Sequence, residues 1–560
     1  MSVPSAMPDL SDQPFSPDAF PLRQLTVPQV LQQQAQRWPH KTFLTELHTG
    51  RRFTLPDLHA WSSRLAVALR GIGVERGQHV GVLMENSAEH LALFLAVAKL
   101  GAVWAPMNTA ARGELLAYYL SHADCATLLV DTALQERLDG VLPQLPGLRR
   151  LVVVSAHGDV PPAQALATSP GVAMHRLHEL DSPATTALDD TPEVQCHDLL
   201  MLAFTSGTTG PSKASMLSHA AALTYGTGAA QAQGYRSSDV FFVCLPMFHN
   251  NALLASIASA LVCGGSVVLA QRFSVSRFWA DIREHGCTIT NLLGAMSSFL
   301  WSQPPNPDDG ANRLRLVSMA PVPGYAREFE QRFGLHVMTN YGLSDFGMGT
   351  SFTNRDPKDK LGSIGRPRAG MQVRIVDEFD FEVPDGQPGE IVMRADEPWR
   401  ATTGYYKMPE ATVAAHRNQW FHTGDRGVRD ADGYFWFVDR QKDCIRRRGE
   451  NISAFEVEKV LMRHAAVAQA AVFPVRTSDH DEEVGAVIVR QPDTELNQAE
   501  LIDFCQRHMA YFMVPRYLAF AERLPTTTNQ KVEKFRLRQA FEQDLSQVWD
   551  REAAGIVVRR

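Results

Sequence analysis

The sequence has few cysteines, no long apolar run free of breaks, and no excess of basic residues. The seven cysteines are odd in number and scattered, without a Cys-x-x-Cys pair, which favours reduced thiols in a cytoplasm over a disulfide framework or a zinc site. A net charge of −7 and a pI near 6.3 give no indication of a basic surface that would bind nucleic acid. The cysteines are Cys125, Cys196, Cys244, Cys263, Cys287, Cys444 and Cys505.

Membrane and export signals are also missing. An uncharged run long enough to raise a membrane question, 252–270, is broken by Cys263-Gly264-Gly265 into a helix-like half and a strand-like half. This predicts a helix, a turn and a strand rather than a membrane span. Residues 1–22 are rich in Pro, Ser and Asp without the basic-then-apolar pattern of a signal peptide, and are predicted to be a loose tail. A cytoplasmic protein without a transmembrane segment is therefore expected.

The composition, 45% hydrophobic and 21% charged, is that of a globular protein. Short apolar runs alternate with helical patterns, which predicts right-handed crossovers and a mainly parallel sheet. From Gly362 the pattern changes to β-hairpins, and a compact α+β segment follows from about Gln441. The predicted fold is α/β, with a large domain (23–440) that includes a β-rich subdomain, and a small α+β domain (441–560). Residues 27–73 are predicted helical around a turn at Thr49-Gly50, and 155–195 form a surface connection.

One stretch contains many residues that can bind an anion. Two apolar residues and a Phe lead into a loop of hydroxyl residues, glycines, a proline and a lysine at 205–213. Glycines let the backbone approach a bulky anion, and N–H groups and hydroxyls can hold phosphate oxygens beside a mobile ammonium. The nucleoside-triphosphatase loop is excluded, because the position of its second glycine falls on Ser212. The alternative is a polar surface turn. The candidate phosphate ligands are Thr205, Ser206, Gly207, Thr208, Thr209, Gly210 and Lys213.

A second group lies where a predicted strand ends, at Asn340-Tyr341-Gly342-Leu343-Ser344-Asp345. This is the usual ligand edge of an open α/β sheet. The Tyr341 ring can stack on a purine, Ser344 can bond an α-phosphate, and Asp345 can bind Mg²⁺ through oxygen. The alternative is a strand-to-turn exit with a capping Asp.

Two further motifs are typical of nucleotide chemistry. Asp425, in Trp420-Phe421-His422-Thr423-Gly424-Asp425, can accept both hydroxyls of a vicinal diol; the alternative is an Asp in a turn. The run from Arg446 to Arg448 can meet phosphates, or it can be a solvated face.

Taken in order, these strings resemble the adenylate-forming enzymes: acyl-CoA synthetases, firefly luciferase and carrier-protein adenylation domains. The resemblance spans about residues 26–537. It implies that Asn340, Gly342 and Ala320 bind the nucleotide cofactor, that Arg440 contacts ribose and phosphate, and that Lys442 is an inter-domain hinge. It also implies that Arg446, Arg448 and Gly449 follow the coenzyme A path. The sequence departs from the family pattern at Ala214, Ser344, Asp345, Ala454 and Gln530.

The resemblance further implies four catalytic residues, Lys531, His249, Thr205 and Asp345. Lys531 reaches the α-phosphate and the substrate carboxylate, and stabilises charge in an in-line displacement together with Thr205 and Asp345. His249, in Leu245-Pro246-Met247-Phe248-His249, gates the acyl pocket against the coenzyme tunnel; a lone structural histidine is the alternative. The predicted acyl lining is Asn250, Asn251, Ala252, Met296, Met319 and Met348.

The function implied is an AMP-forming acid–CoA ligase that uses ATP, Mg²⁺ and coenzyme A. Three segments (434–439, 448–453 and 509–517) look most like the crotonobetaine/carnitine-CoA ligases, but the substrate stays open. No nucleic-acid partner is expected. The sequence allows a homo-oligomer but does not determine the oligomeric state, because no interface can be recognised in it. Two rivals remain: an adenylation enzyme that loads a carrier protein, and a catalytically silent nucleotide binder.

Overall fold

The fold is built on two large sheets flanked by helices. A computed structural model describes residues 12–155, 171–181, 193–205, 211–440, 444–477, 481–492, 494–525 and 532–558. Parallel pairing dominates both large sheets, as expected for strands that alternate with helices. The predicted α/β fold with a large and a small domain is thereby confirmed.

The first large sheet has nine strands in the order β16-β15-β14-β13-β12-β10-β11-β1-β2. Its central pairs are parallel, and both edges are antiparallel. The strands are β1 (Thr42–Glu46), β2 (Arg52–Thr54), β10 (Val240–Val243), β11 (Ser266–Leu269), β12 (Ile289–Leu293), β13 (Leu316–Ala320), β14 (His336–Leu343), β15 (Gly347–Phe352) and β16 (Arg366–Pro367).

The second large sheet has seven strands in the order β7-β6-β5-β3-β4-β8-β9. All of its pairs are parallel except β8 with β9, the hairpin that contains the predicted phosphate loop. The strands are β3 (His79–Leu83), β4 (Val103–Pro106), β5 (Thr127–Asp131), β6 (Arg150–Val154), β7 (Ala173–Arg176), β8 (Leu199–Thr205) and β9 (Lys213–Ser218).

The segment after Gly362, predicted to form β-hairpins, folds into an antiparallel four-stranded sheet. The small domain adds a two-stranded hairpin and a second four-stranded sheet. The first comprises β17 (Met371–Val376), β18 (Gly389–Ala395), β19 (Phe421–Arg429) and β20 (Phe435–Arg440). The small domain comprises β21 (Cys444–Arg447), β22 (Glu450–Ser453), β23 (Val467–Arg476), β24 (Glu482–Arg490), β25 (Tyr517–Ala521) and β26 (Trp549–Asp550). Its own apolar core includes Ile445, Ile452 and Leu518.

Several helices begin at residues whose side chains cap them. Thr54 forms a capping box with Asp57, and the hydroxyls of Ser87 and Ser218 accept backbone N–H groups of the first turn. A π-helix (Asn251–Ile257) leads into α7. The α-helices are α1 (Val27–Arg37), α2 (Leu55–Gly71), α3 (Ala88–Lys99), α4 (Gly113–His122), α5 (Leu177–Leu180), α6 (His219–Gln233), α7 (Ala258–Cys263), α8 (Phe278–Glu284), α9 (Gly294–Trp301), α10 (Ala326–Phe333), α11 (Pro409–Ala415), α12 (Ala454–Leu461), α13 (Gln498–His508) and α14 (Lys534–Gln543).

Two segments differ from the expectation. The predicted helix over 27–73 is wrong in its middle, because β1 and β2 lie between α1 and α2, and β1 adds a parallel strand beside β11. Residues 12–22 of the predicted tail pack against the large domain: Phe20 is buried, and the Phe15 N–H donates to the Tyr235 carbonyl. Local sequence does not reveal either contact, because both partners lie about 200 residues away.

The run at 252–270 forms the predicted helix, turn and strand, with Gly264 in the left-handed conformation. Within the described parts of the chain, every helix is too short or too polar to cross a membrane. Of the predicted surface connection at 155–195, only β7, α5 and a few adjoining residues fall within the described ranges.

Candidate active site

The predicted motifs converge on one cavity of about 580 Å³. It opens between the β8–β9 hairpin, the turn after β14, strand β19 and the small-domain hairpin β21–β22. Its walls include Thr205, Lys213, His249, Gly342, Ser344, Asp345, Asp425 and Arg446. The carboxyl ends of β8 and β14 thus bring together residues far apart in sequence.

The two ends of the predicted phosphate loop face each other in the β8–β9 hairpin. Thr205 pairs with Lys213 across the antiparallel register, so the residues between them form its connection. The Lys213 ammonium lies 4.7 Å from the centre of the Tyr405 ring, a cation–π contact that orients it beside the cavity. Ser206, Gly207, Thr208, Thr209 and Gly210 lie outside the described residues.

Asp345 is held by the same tyrosine. The Tyr405 hydroxyl donates to Asp345 Oδ2 at 2.6 Å, and burial together with this carboxylate raises the pKa of Tyr405 well above its usual range. The phenol therefore stays a donor at neutral pH and positions the carboxylate. Sequence reasoning missed Tyr405, although the string Gly404-Tyr405-Tyr406 marks a turn followed by two aromatic residues.

The predicted nucleoside-binding residues meet at the other end of the cavity. The Tyr341 hydroxyl donates to Asp425 Oδ2 at 2.8 Å, and Asp425 is only 2% exposed. Its backbone N–H donates to Thr423 Oγ1 at 3.1 Å, and Gly424 N–H donates to Glu390 Oε1 at 2.8 Å, which fixes the turn. Arg440 pairs with Asp425 through the backbone of β20 and β19. This end thus offers a ring beside a carboxylate suited to a diol.

Gly342 allows the close approach that shapes this wall. A Cβ there would lie 2.3 Å from the Gly347 carbonyl oxygen, so only glycine fits the β14–β15 turn. Asn340 faces away from the cavity, and its Oδ1 accepts from Ser351 Oγ at 2.6 Å. Ala320 ends β13, and its carbonyl accepts from Arg446 Nη2 at 3.2 Å.

His249 stands at the mouth between the two domains. Its Nε2 is 3.4 Å from Glu450 Oε2, and the same oxygen accepts from Asn108 Nδ2 at 3.1 Å. The ring packs beside Phe248, with centroids 4.4 Å apart. Because Glu450 belongs to the small domain, this pair exists only when the small domain is docked here.

The three consecutive arginines have three different environments. Arg446 lines the cavity, whereas Arg447 is buried inside the small domain, where its Nη1 donates to the Phe512 carbonyl at 2.8 Å. The idea that Arg447 meets coenzyme phosphates is therefore wrong. Arg448 is half exposed, and its backbone adopts a left-handed φ of 50°. Gly449 approaches Leu293 so closely that a Cβ would lie 2.1 Å from Leu293 Cδ1.

A second inter-domain contact reaches the phosphate loop itself. Glu456 of α12 accepts the Ser212 backbone N–H at 3.1 Å and also its hydroxyl, while the Tyr118 hydroxyl donates to the Ser212 carbonyl at 2.7 Å. Burial raises the pKa of Glu456, and the bonds from Ser212 oppose that rise. Sequence reasoning missed Glu456, because only docking places it against the loop.

Two further predicted site residues, Lys442 and Lys531, lie outside the described residues, as Ser206 to Gly210 do. Lys534 of α14, three positions after Lys531 in the sequence, forms an ion pair with Glu458 at 2.8 Å within the small domain.

Most of the predicted acyl lining is closed. Ala252, Met296, Met319 and Met348 are buried in the core of the large domain, whereas Asn250 lines the cavity. Asn291 Nδ2 donates to Asn251 Oδ1 at 2.7 Å. The described cavity thus has a polar asparagine in its wall and little open apolar depth.

Comparison with known proteins identifies the family. The profile of the AMP-binding enzyme family matches residues 31–406, and that of the AMP-binding enzyme C-terminal domain matches residues 456–531. The chain belongs to the AMP-binding enzyme family. The predicted resemblance to adenylate-forming enzymes is confirmed.

Among curated relatives, a sulfoacetate–CoA ligase of Cupriavidus necator is 31% identical over 90% of this chain and 96% of its own. A crotonobetaine/carnitine–CoA ligase of Salmonella agona is 29% identical over 87% and 93%. Among solved structures, o-succinylbenzoate CoA synthetase from Bacillus subtilis, bound with a product analogue, superposes with a TM-score of 0.78 at 25% identity. It covers 91% of this chain and 98% of its own.

Proposed function

We propose that this AMP-binding enzyme is an AMP-forming acyl-CoA ligase that activates a small carboxylic acid with ATP and transfers the acyl group to coenzyme A. The observation that carries the proposal is the single cavity in which Asp425, Lys213, Asp345, His249 and Arg446 meet. It joins a diol-binding end, a phosphate-binding middle and a mouth formed with the small domain. The curated relatives named above are CoA ligases, which supports the same reaction.

In the first half-reaction, a carboxylate oxygen of the acid attacks the α-phosphorus of ATP, and the bond to pyrophosphate breaks. Both reactants are anionic, so catalysis needs charge neutralisation and alignment. Lys213 supplies positive charge at the middle of the cavity, while Tyr341 and Asp425 hold the nucleoside. Lys531 is proposed to reach the same phosphate, as the family resemblance implies.

Mg²⁺ is the expected companion of ATP. A protein usually holds it with one or two carboxylates plus substrate phosphates and water, and Asp345 is such a carboxylate on the cavity wall. Tyr405 orients that group through its hydrogen bond at 2.6 Å. When bound there, the ion would supply neutralisation of the phosphate charge.

In the second half-reaction, the thiolate of coenzyme A, its proton released to solvent, attacks the acyl carbon, and the bond from that carbon to the AMP phosphate oxygen breaks, so that AMP leaves. We propose that the docked position of the small domain serves this step, because it brings Arg446, Gly449 and Glu450 to the cavity mouth beside His249. The TM-score of 0.78 with the CoA-product-analogue complex of o-succinylbenzoate CoA synthetase supports this assignment. Rotation about Lys442 between the two steps remains a prediction.

A small acid is proposed because the deeper predicted lining is closed. Side chains of Met296, Met319 and Met348 pack in the core and leave little room for a long chain. The relatives named for sulfoacetate and carnitine act on small acids that carry a second charge, and Asn250 adds a polar group to the wall of this cavity.

The test is acid-dependent AMP formation by the purified protein with ATP, Mg²⁺ and coenzyme A. The panel should include sulfoacetate, carnitine, crotonobetaine, and fatty, aryl and steroid-type acids, with Lys213→Ala as the inactive control. AMP and acyl-CoA from one small-acid class would support the proposal. AMP without thioester would indicate a carrier-protein acceptor, and ATP binding without turnover would indicate a silent nucleotide binder.

A further inference from the structure

A second cavity of about 380 Å³ lies on the far side of the β14–β15 hairpin, against α6. No described residue of its lining is shared with the active-site cavity. We call it the arginine groove, because three arginines line it: Arg355, Arg366 and Arg368. The remaining lining comes from α6 and from the segments around β15 and β16.

Arg368 is the unusual member. It is only 8% exposed, its Nε donates to the Met348 carbonyl at 2.6 Å, and its Nη1 donates to the Ala369 carbonyl at 3.2 Å. Its Nη2 is buried and has no hydrogen-bond partner in the described ranges of the chain. Among the described residues, no carboxylate forms an ion pair with it. A buried guanidinium without a counter-charge is costly, and a ligand anion would offset that cost.

The backbone makes room for this side chain. Gly228 of α6 lies so close that a Cβ there would be 2.7 Å from Arg368 Nη1 and 2.8 Å from Cζ. The guanidinium therefore packs directly against the backbone of α6 at Gly228, which also lines the groove. Burial lowers the pKa of Arg368 to about 10, so the side chain is still charged at neutral pH.

The rim adds more positive than negative charge. Asp356 is the single carboxylate in the described lining, and it is occupied by Thr353, by the Tyr434 hydroxyl at 2.8 Å and by Arg366 Nη2 at 3.1 Å. Arg355 Nη2 donates to the Ala232 carbonyl at 2.7 Å. Three guanidiniums against one carboxylate leave a net charge of two, and each five-donor fork has donors beyond these contacts.

We infer that the arginine groove binds a phosphate-type dianion outside the active site. Several arginine forks around one polar cavity recognise tetrahedral oxyanions through charge-assisted bonds, and the net charge of two matches a dianion. The groove also touches the nucleotide-binding strand: Ser351 at its edge donates to Asn340 Oδ1 at 2.6 Å, and Asn340 precedes Tyr341. The anion can be free phosphate or a phosphate monoester such as that of coenzyme A.

The test is calorimetric titration of the full chain with inorganic phosphate in a Lys213→Ala background, which weakens phosphate binding by the catalytic loop. We expect one saturable site that loses about tenfold or more in affinity on Arg366→Ala or Arg355→Ala, the loss typical of a charge-assisted bond. Both side chains are exposed, so these variants should fold. Arg52→Ala, an exposed arginine elsewhere, is the matched control.

Three outcomes would overturn the inference: no saturable binding, binding that persists unchanged in both groove variants, or equal loss in Arg52→Ala. Arg368→Met should abolish the site if it folds. A second arm repeats the titration with coenzyme A present. Displacement of phosphate that depends on Arg366 would assign the groove to the phosphate monoester of the coenzyme, and continued phosphate binding would assign it to the free oxyanion.

Discussion

Glu456 gives the sharpest test of the docked small domain. Its carboxylate accepts two hydrogen bonds from Ser212, one backbone and one hydroxyl, and no other carboxylate among the described residues binds the Ser212 end of the phosphate loop. Glu456→Gln keeps the size of the side chain and removes its charge. The docked position should then be populated less, since a hydrogen bond to a charged group contributes about 1.5–3 kcal/mol.

That energy corresponds to about a 10- to 150-fold shift in the docking equilibrium. If docking serves only thioester formation, single-turnover transfer from preformed acyl-AMP to coenzyme A should slow by up to this factor. Acid-dependent exchange between pyrophosphate and ATP should change by less than about twofold, because adenylate formation does not use the contact.

Glu500→Gln is the control, since Glu500 is an exposed glutamate on α13 of the same domain. It should leave both half-reactions unchanged. The reasoning is refuted if Glu456→Gln slows exchange as much as transfer, or if transfer keeps its wild-type rate. Equal slowing would mean that Glu456 acts on the phosphate loop directly rather than through docking.

Three further predictions follow from single contacts. Asp425→Asn should weaken ATP binding about 10- to 100-fold by calorimetry, because a charged acceptor is lost; an unchanged Kd would contradict the diol assignment. Gly342→Ala should lower kcat/KM by more than about tenfold, because its Cβ would lie 2.3 Å from a carbonyl oxygen, whereas Gly147→Ala, with open space, should not. Burial lowers the pKa of Lys99 to about 7. The unfolded chain therefore binds a proton that the native state lacks, and stability rises above pH 7. At pH 7, Lys99→Met should therefore be more stable than the wild type. In urea unfolding, this difference in the free energy of unfolding should shrink by about 3 kcal/mol between pH 7 and about pH 9.5.

The α/β class and most strand positions could be predicted because each depends on short-range patterns. Strands β10 to β14 lie within two residues of the apolar runs that the sequence predicts as strands, since buried parallel strands are continuous apolar segments bounded by turns. These runs are 241–245, 266–269, 288–293, 314–319 and 336–341. The pair β1 and β2 was missed because Thr42–Glu46 is short, and only its parallel pairing with β11 makes it a strand.

At the active site, the residues predicted from the sequence were those whose role follows from residue type and local sequence. They are a lysine in a glycine-rich loop, a carboxylate at the end of a strand and a carboxylate that can bind a diol. Lys213, Asp345 and Asp425 do line one cavity. Tyr405 and Glu456 were missed, because their roles come from what they touch and not from a motif.

The sequence alone determined the family, the order of the motifs and the types of side chain offered to the nucleotide, because these depend on residue identity along the chain. Only the tertiary structure decided which arginine faces the cavity, which is buried and which points to solvent, although Arg446, Arg447 and Arg448 are adjacent and identical. The reason is physical: successive residues of a strand face opposite sides, and docking of the small domain determines which side meets the large domain. The same holds for Arg368, whose burial on α6 depends on Gly228, a residue 140 positions earlier in the chain.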